Sequence, residues 1–236
     1  MNNVALVIDT NSNYSDVWPP CFTRLKKHAD SIKKYAFVDT KENIPDNIIP
    51  IIYDNSESYR NQFLSCLRQV EEKYIIYTSE DYILYDDVKF DEINKVIETL
   101  ENSKFSFCKF IKGPEKTSHY EDNLFVIDPK DSNFFAQQAS VWKTRDFQKI
   151  FETAPSQNTR MQHEPGGSAI CRQLGFSGLQ YYSNTKKRGM HHYDSEIFPC
   201  IATAVVKGLW NMTEYPVEMT EVVKEFKIDL MSRGWR

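Results

Sequence analysis

The stretch "EEKYIIYTSEDYILYDDVKF", residues 71–90, places two pairs of carboxylates behind an apolar run. Residues 74–77 predict a buried strand, because a short apolar run is typical of a strand covered on both faces. Glu80-Asp81 follows this run, and Asp86-Asp87 comes a few residues later. The first pair either caps the next helix or holds a metal ion at the edge of a sheet. We expect the second pair to form a helix entry or an exposed loop.

The rest of the first half alternates apolar runs with amphipathic segments. Strands are predicted at residues 4–9, 35–39, 48–54, 74–77 and 105–111, and helices at 19–32, 57–74 and 90–102. This alternation predicts an α/β fold, with a mainly parallel central sheet flanked by helices. In such sheets, ligands bind beside the carboxyl ends of the strands. Acidic residues at predicted strand ends should therefore converge on one edge; they are Asp9, Asp39, Asp54, Glu80 and Asp81.

Composition excludes several classes of protein. The 236 residues include 33 acidic and 29 basic ones, so the net charge of -4 gives no footprint for binding nucleic acid. No apolar run approaches the roughly 20 residues that span a bilayer, so we expect no transmembrane segment, and membrane contact, if any, is peripheral. The N-terminus has no basic region typical of a signal peptide. Five widely spaced cysteines without a C-x-x-C pair favour a reduced, cytoplasmic protein.

The glycine motifs of other nucleotide-binding folds are missing. The chain has no G-x-G-x-x-G after the first strand, no G-x-x-x-x-G-K-[ST] and no G-x-S-x-G. A diphosphate bound at the acidic strand ends would therefore need another positive charge. A Mg²⁺ or Mn²⁺ ion held by carboxylates supplies it, because both ions prefer oxygen ligands and bridge phosphate oxygens.

Three segments of the first half carry a family resemblance: "VIDTNSNYSD", "FVDT" and "YIIYTSEDYILYDD". Their order resembles the nucleotide-diphospho-sugar transferase fold, the GT-A type of glycosyltransferase, in which a DXD-like motif after the fourth strand carries the metal. In the second half, "NFFAQQASVWKTRDFQKIF", "HEPGGSAICRQLG" and "EIFPCIATAVVKGLWN" are similar in pattern to a set of bacterial and viral glycosyltransferases. The resemblance covers nearly the whole chain. It implies a single domain, 1–236, with a nucleotide-binding half at 1–112 and an acceptor-side half at 113–236.

The resemblance implies a metal-dependent glycosyltransferase, of the hexosyltransferase class, working in polysaccharide biosynthesis. It would move a sugar from a nucleotide-diphosphate donor, with a UDP-sugar favoured, to a glycan or other hydroxyl acceptor. One alternative is a sugar nucleotidyltransferase, but the loop "TNSNYSDVWPP" lacks the glycines and basic residues usual there. The other is a non-catalytic glycan-binding protein on a degenerate transferase fold.

The first-half residues of the implied site lie at the strand ends. The predicted metal ligands are Glu80 and Asp81, and the motif reads Ser79-Glu80-Asp81 rather than D-x-D, so either acid is a candidate. Asp39 contacts a ring nitrogen of a uracil-like base or forms an Asx-turn with Thr40. The predicted nucleotide-binding residues are Asp9, Thr10, Asn11, Asp39 and Asp54.

The second half supplies the other candidates. Glu164, before Pro165-Gly166-Gly167, is either a general base for the acceptor hydroxyl or a charge that stabilises a helix start. The basic run Lys186-Lys187-Arg188 is either a diphosphate clamp or a solvated loop. At most one of two neighbouring histidines should face the site, because adjacent side chains of an extended chain point apart; we take His191 as the metal ligand. Trp142 is expected near the acceptor.

Overall fold

The computed structural model describes residues 3–113, 115–156, 160–189 and 192–236, with the backbone alone for 160–165. The strands are β1 Val4–Asp9, β2 Lys33–Val38, β3 Ile49–Ile52, β4 Tyr74–Ser79, β5 Ile83–Leu84, β6 Phe105–Lys109, β7 Thr117–Glu121, β8 Leu124–Ile127, β9 Ser140–Lys143, β10 Ser177–Tyr181, β11 Cys200–Ile201, β12 Val205–Val206 and β13 Leu209–Trp210. The helices are α1 Trp18–His28, α2 Tyr59–Leu67, α3 Phe90–Glu101, α4 Thr144–Thr153, α5 Arg160–Gln173 and α6 Pro216–Phe226. No helix in these described ranges is long and apolar enough to cross a membrane.

The main sheet has the strand order β3-β2-β1-β4-β9-β6-β10-β8-β7. Strands β3, β2, β1 and β4 pair in parallel, and so do β6 and β10. Strand β9 lies antiparallel between β4 and β6, so these six strands all run in one direction. The predicted α/β fold with a mainly parallel sheet is therefore confirmed. The antiparallel β9 and the β7–β8 hairpin were not predicted.

Helices cover both faces of the sheet, which explains why β1 is apolar up to Asp9. In β1, Val4, Leu6 and Ile8 belong to one core cluster, with residues of α1, α3 and α6. Ala5 and Val7 belong to the other, with residues of α2, α4 and α5. Successive side chains of a strand point to opposite faces, so both sets are buried.

Two predicted helices are shorter than the sequence suggests. Helix α1 has prolines in its first turn, as expected, but it ends at His28 rather than at residue 32. Helix α2 is capped by Ser58, whose side chain accepts the Asn61 N–H, and it ends at Leu67 rather than at residue 74. Val70 still packs on the core, but its N–H bonds to the Leu67 carbonyl in a tighter turn. Apolar residues continue at helical spacing past Leu67, so the sequence predicts a longer helix than the structure has.

Candidate functional site

The acidic pair Glu80-Asp81 lies in a cleft of about 730 Å³ at the carboxyl end of β4. The cleft is formed by the turn after β4, a loop before β9 and the region around β12. Its lining residues are Tyr14, Ser79, Glu80, Asp81, Tyr82, Gly113, Ser132, Asn133, Ala136, Gln137, Gln138, His192, Thr203 and Val205. The volume is within the usual range for small-molecule sites, about 300–1,000 Å³.

The acidic pair sits on a tight turn rather than at a helix start. The Tyr82 N–H bonds to the Ser79 carbonyl at 3.1 Å, and the next element is the short strand β5. The Ser79 hydroxyl donates to Asp81 Oδ1 at 2.8 Å, and the Ala204 N–H donates to the Asp81 carbonyl at 2.8 Å. Helix α3 begins only at Phe90, so the pair does not cap a helix. Helix capping is therefore excluded, the pair forms a turn, and its role in metal binding stays a prediction.

The surroundings of the pair are buried. Glu80 is 3 % exposed, and Asp81 is half-buried. Cys21 of α1 lies close behind them: burial, together with the negative charges of Glu80 and Asp81, raises the pKa of its thiol well above the usual value.

His192 lines the same cleft, whereas the predicted metal ligand, its neighbour His191, lies outside the described residues. His192 Nδ1 lies 3.0 Å from Glu214 Oε2, and both side chains are about four-fifths buried. The His192 carbonyl accepts the Arg188 N–H at 2.9 Å, so backbone and side chain are both held. Glu214 is 22 residues away in sequence, and no local spacing signals this pair.

The predicted diphosphate clamp does not reach the cleft. The Arg188 guanidinium bonds to Asp194 at 2.8 Å and to Glu218 at 2.5 Å. Burial opposes its charge, but these two carboxylates outweigh that effect and raise the pKa of Arg188. Lys186 and Lys187 are exposed, and neither they nor Arg188 are among the described residues that line the cleft. The two lysines remain candidates for a clamp; Arg188 already has two anionic partners.

Three of the predicted nucleotide-binding residues line one small cavity of about 190 Å³ at the end of β1. Asp9 is 4 % exposed, and its carboxylate accepts the hydroxyls of Tyr59 at 3.0 Å and Tyr77 at 3.4 Å. The Thr10 hydroxyl accepts the Trp18 indole N–H at 2.8 Å. Asn11 caps a 3-10 turn at Ser12–Tyr14. These three consecutive residues therefore all line the cavity.

Asp39 fastens the loop that follows β1. Its carboxylate accepts the Ser12 N–H at 2.7 Å, the Ser12 hydroxyl at 2.6 Å and the Asn55 amide at 3.1 Å. Partial burial acts to raise the pKa of Asp39, but these hydrogen bonds outweigh it and hold the pKa below its ordinary value. A base contact by Asp39 stays a prediction.

Asp54 makes a local turn instead of reaching the cavity. Its Oδ1 accepts the Ser56 N–H and hydroxyl at 2.8 and 2.7 Å, which lowers the pKa of Asp54. Asp54 is exposed and does not line the cavity that holds Asp9. Its role in nucleotide binding has no geometric support and stays a prediction.

The expected helix start at Glu164 is wrong. Helix α5 begins at Arg160, so Glu164 and Pro165 lie inside it; the Glu164 side chain is outside the described residues. A Cβ on Gly167 would lie 2.4–2.9 Å from the Phe135 ring, so this glycine admits a core ring rather than a ligand. The role of Glu164 as a base therefore stays a prediction.

Trp142 is part of the core rather than of an acceptor site. It lies in β9, is 1 % exposed and stacks on Phe107 with the ring centroids 4.1 Å apart. The expectation that it meets the acceptor is wrong, because β9 is a central strand covered on both faces.

No protein-family model matches the chain, and no curated protein matches it in sequence. Among solved structures, a mannosyltransferase from Pyrobaculum calidifontis in complex with GDP-Man and Mn²⁺ is 10% identical, with a TM-score of 0.50; the match covers 79% of this chain and 58% of that one. The bifunctional IspDF from Campylobacter jejuni is 11% identical, with a TM-score of 0.48 and coverage of 83% and 52%.

CMP:2-keto-3-deoxy-manno-octonic acid synthetase complexed with CTP is 9% identical, with a TM-score of 0.48 and coverage of 80% and 93%. This chain thus spans little more than half of IspDF and of the mannosyltransferase. At sequence identities this low, the matches show similarity of fold only. The chain has a fold of the nucleotide-diphospho-sugar transferase type, as the resemblance in its sequence implies.

Proposed function

We propose that this protein is a divalent-metal-dependent glycosyltransferase that moves a hexose from a nucleotide diphosphate to a glycan or other hydroxyl acceptor. One observation carries the proposal: the acidic pair Glu80-Asp81 and the cavity at Asp9 lie at the ends of neighbouring parallel strands. Asp9 of β1 is the register partner of Ser79 of β4. A nucleotide in the cavity would therefore have its diphosphate within reach of the acidic pair.

The chemistry of the cleft fits a cation bound together with a diphosphate. Glu80 and Asp81 would supply carboxylate oxygens, and His192 faces the same cleft with Nδ1 occupied by Glu214, which leaves Nε2 for a ligand. These three residues do not form a compact ligand group among the described residues. Mn²⁺ or Mg²⁺ would therefore need phosphate oxygens of the donor as further ligands beside one or two of the carboxylates. When bound, the ion stabilises negative charge on the departing nucleotide.

The protein's own residues would divide the remaining work. Asp9, Thr10 and Asn11 would bind the nucleoside, and Lys186 and Lys187 would approach the diphosphate when the donor is present. If the reaction inverts the sugar configuration, Glu164 would take the proton of the acceptor hydroxyl.

We also propose that the halves 1–112 and 113–236 act together as one domain. Strand β9, from the second half, pairs with β4 and β6 of the first half, and this supports a single unit. All five cysteines are free and buried, which is consistent with the expected cytoplasmic location.

A thermal-shift screen of nucleotide sugars, with and without Mn²⁺, tests the proposal. We expect a UDP-sugar to raise the melting temperature only when Mn²⁺ is present, because ligands stabilise the state that binds them. Turnover should then release a nucleoside diphosphate. Release of pyrophosphate from a nucleoside triphosphate and a sugar 1-phosphate would instead indicate a nucleotidyltransferase. Stabilisation by glycans alone would indicate a non-catalytic glycan-binding protein.

A further inference from the structure

We propose that His28, Asp86 and Asp87 form a second metal site, outside the cleft, for a first-row transition ion such as Zn²⁺. One ligand atom from each residue lies within 4.8 Å of the other two. The proposal does not depend on the glycosyltransferase activity, because none of the three residues lines the cleft.

The spacing suits metal coordination with little movement. His28 Nδ1 lies 2.8 Å from Asp87 Oδ1. Ligand atoms of a tetrahedral ion with bonds of about 2.1 Å are about 3.4 Å apart. An ion could therefore replace the hydrogen bond between these atoms by a small opening of the pair. Asp86 would complete a set of one imidazole and two carboxylates.

The backbone holds the ligands in place before any ion binds. His28 is the last residue of α1, whereas Asp86-Asp87 lies between β5 and α3. The Val88 N–H donates to the His28 carbonyl at 3.1 Å, which ties the two segments together. Such preorganisation lowers the conformational cost of assembling a site.

The histidine is oriented with one nitrogen toward the carboxylates. The His28 side chain is only 6% exposed, whereas that of Asp87 is 82% exposed. His28 Nε2 is buried and has no hydrogen-bond partner within the described part of the chain. Nδ1 is therefore the nitrogen that contacts a polar group, and that group is the Asp87 carboxylate at the protein surface.

The two carboxylates lack a permanent positive partner. Among the described residues, no lysine or arginine forms an ion pair with Asp86 or Asp87; His28 is the one basic group in contact. Adjacent carboxylates repel each other, and a divalent cation would relieve this repulsion.

The ligand set distinguishes this site from the cleft. Imidazole suits zinc and other transition ions, whereas Mg²⁺ prefers oxygen ligands. An ion here would fasten the end of α1 to the segment that runs from the acidic pair of the cleft into α3.

Calorimetric titration of the chelator-treated, full-length protein with Zn²⁺, without nucleotide, tests this site. We expect one Zn²⁺ ion per chain, with binding that persists in Asp81→Asn and in millimolar Mg²⁺. Asp86→Asn and His28→Gln should each weaken binding by at least about tenfold, a size typical of disturbed metal sites. His119→Gln is the matched control, because His119 is exposed, and its ring contacts the Asp122 carbonyl and Phe125 rather than a carboxylate.

Asp86 is exposed, so Asp86→Asn leaves the fold intact even if the buried His28 does not tolerate substitution. Three results would overturn the proposal: no Zn²⁺ binding by the wild type, unchanged affinity in Asp86→Asn, or loss of the ion in Asp81→Asn. The last result would assign the ion to the cleft.

Discussion

Replacing Gly189 by alanine should disrupt the contact that holds His192 at the cleft. A Cβ on residue 189 would lie 2.3 Å from the Glu214 carboxyl carbon and 2.4 and 2.6 Å from its oxygens. Real Cβ atoms essentially never come within 3.0 Å of another heavy atom, so the carboxylate must retreat by at least about 0.7 Å. Gly189 does not have a positive φ, so the effect is steric rather than one of backbone strain.

The expected cost follows from two terms. The Glu214 carboxylate is the far end of a flexible, half-buried side chain, so its displacement costs less than the about 1–3 kcal/mol of an overpacked core. Loss of a hydrogen bond to a charged group costs about 1.5–3 kcal/mol when it is buried, and less here because the side chains of His192 and Glu214 are 20% and 18% exposed. Together they predict that Gly189→Ala lowers the free energy of unfolding by about 1–2 kcal/mol.

A double-mutant cycle in urea isolates this contact. In the Glu214→Ala background, the Gly189→Ala substitution should cost less than about 0.5 kcal/mol, because the colliding group is gone. Gly113→Ala is the control, since its Cβ would meet Gln138 at an ordinary 3.6 Å. The ¹⁵N signals of the His192 ring should also change in Gly189→Ala. An equal cost in both backgrounds, or a wild-type stability of Gly189→Ala, would refute the reasoning.

Further predictions concern Asp39, the basic run and Glu164. Asp39→Asn should lower the free energy of unfolding by about 1 kcal/mol at pH 7. Because the folded-state pKa of Asp39 is depressed, its stabilisation is complete above about pH 4 and is lost as the pH falls through the folded pKa. The difference in unfolding free energy between wild type and Asp39→Asn should therefore shrink as the solution is acidified. Arg188→Ala should lower the free energy of unfolding, measured in urea, by about 2–3 kcal/mol. Replacing Lys186 and Lys187 should leave stability unchanged but weaken donor binding, which calorimetry measures. In steady-state kinetics of the folded variant, Glu164→Gln should lower turnover by about 10²–10⁴-fold without changing donor affinity. A variant that melts at a lower temperature but turns over normally would show that Glu164 has a structural role.

The strands that end in acidic residues could be predicted because their signal is local. Residues 4–8 and 74–77 are apolar since both faces of the sheet are covered; Asp9 ends the first run, and Glu80-Asp81 comes two residues after the second. Strand β9 could not be predicted in this way. It has four residues and pairs with β4 and β6, which are far away in sequence, so its place depends on the assembled core.

The same contrast holds in the cleft: some of its residues can be identified from the local sequence, and others only from contacts with residues far away in the chain. Glu80 and Asp81 were found from their position after a strand. The sequence offers no signal that distinguishes His191 from His192: the contact that holds His192 at the cleft comes from the distant Glu214, and His191 lies outside the described residues. The basic charge of Arg188 suggested a clamp, but its partners Asp194 and Glu218 are set by tertiary structure.

Binding of UDP and Mn²⁺ to Asp81→Asn, measured by calorimetry beside wild type and Glu80→Gln, tests the central claim most directly. Glu98→Gln, on the exposed side of α3, is the control for a lost negative charge. The account predicts that wild type and Glu98→Gln bind UDP more tightly with Mn²⁺. It also predicts that Asp81→Asn loses this enhancement by at least about tenfold with its fold intact. Unchanged Mn²⁺-dependent affinity in both Asp81→Asn and Glu80→Gln would contradict it.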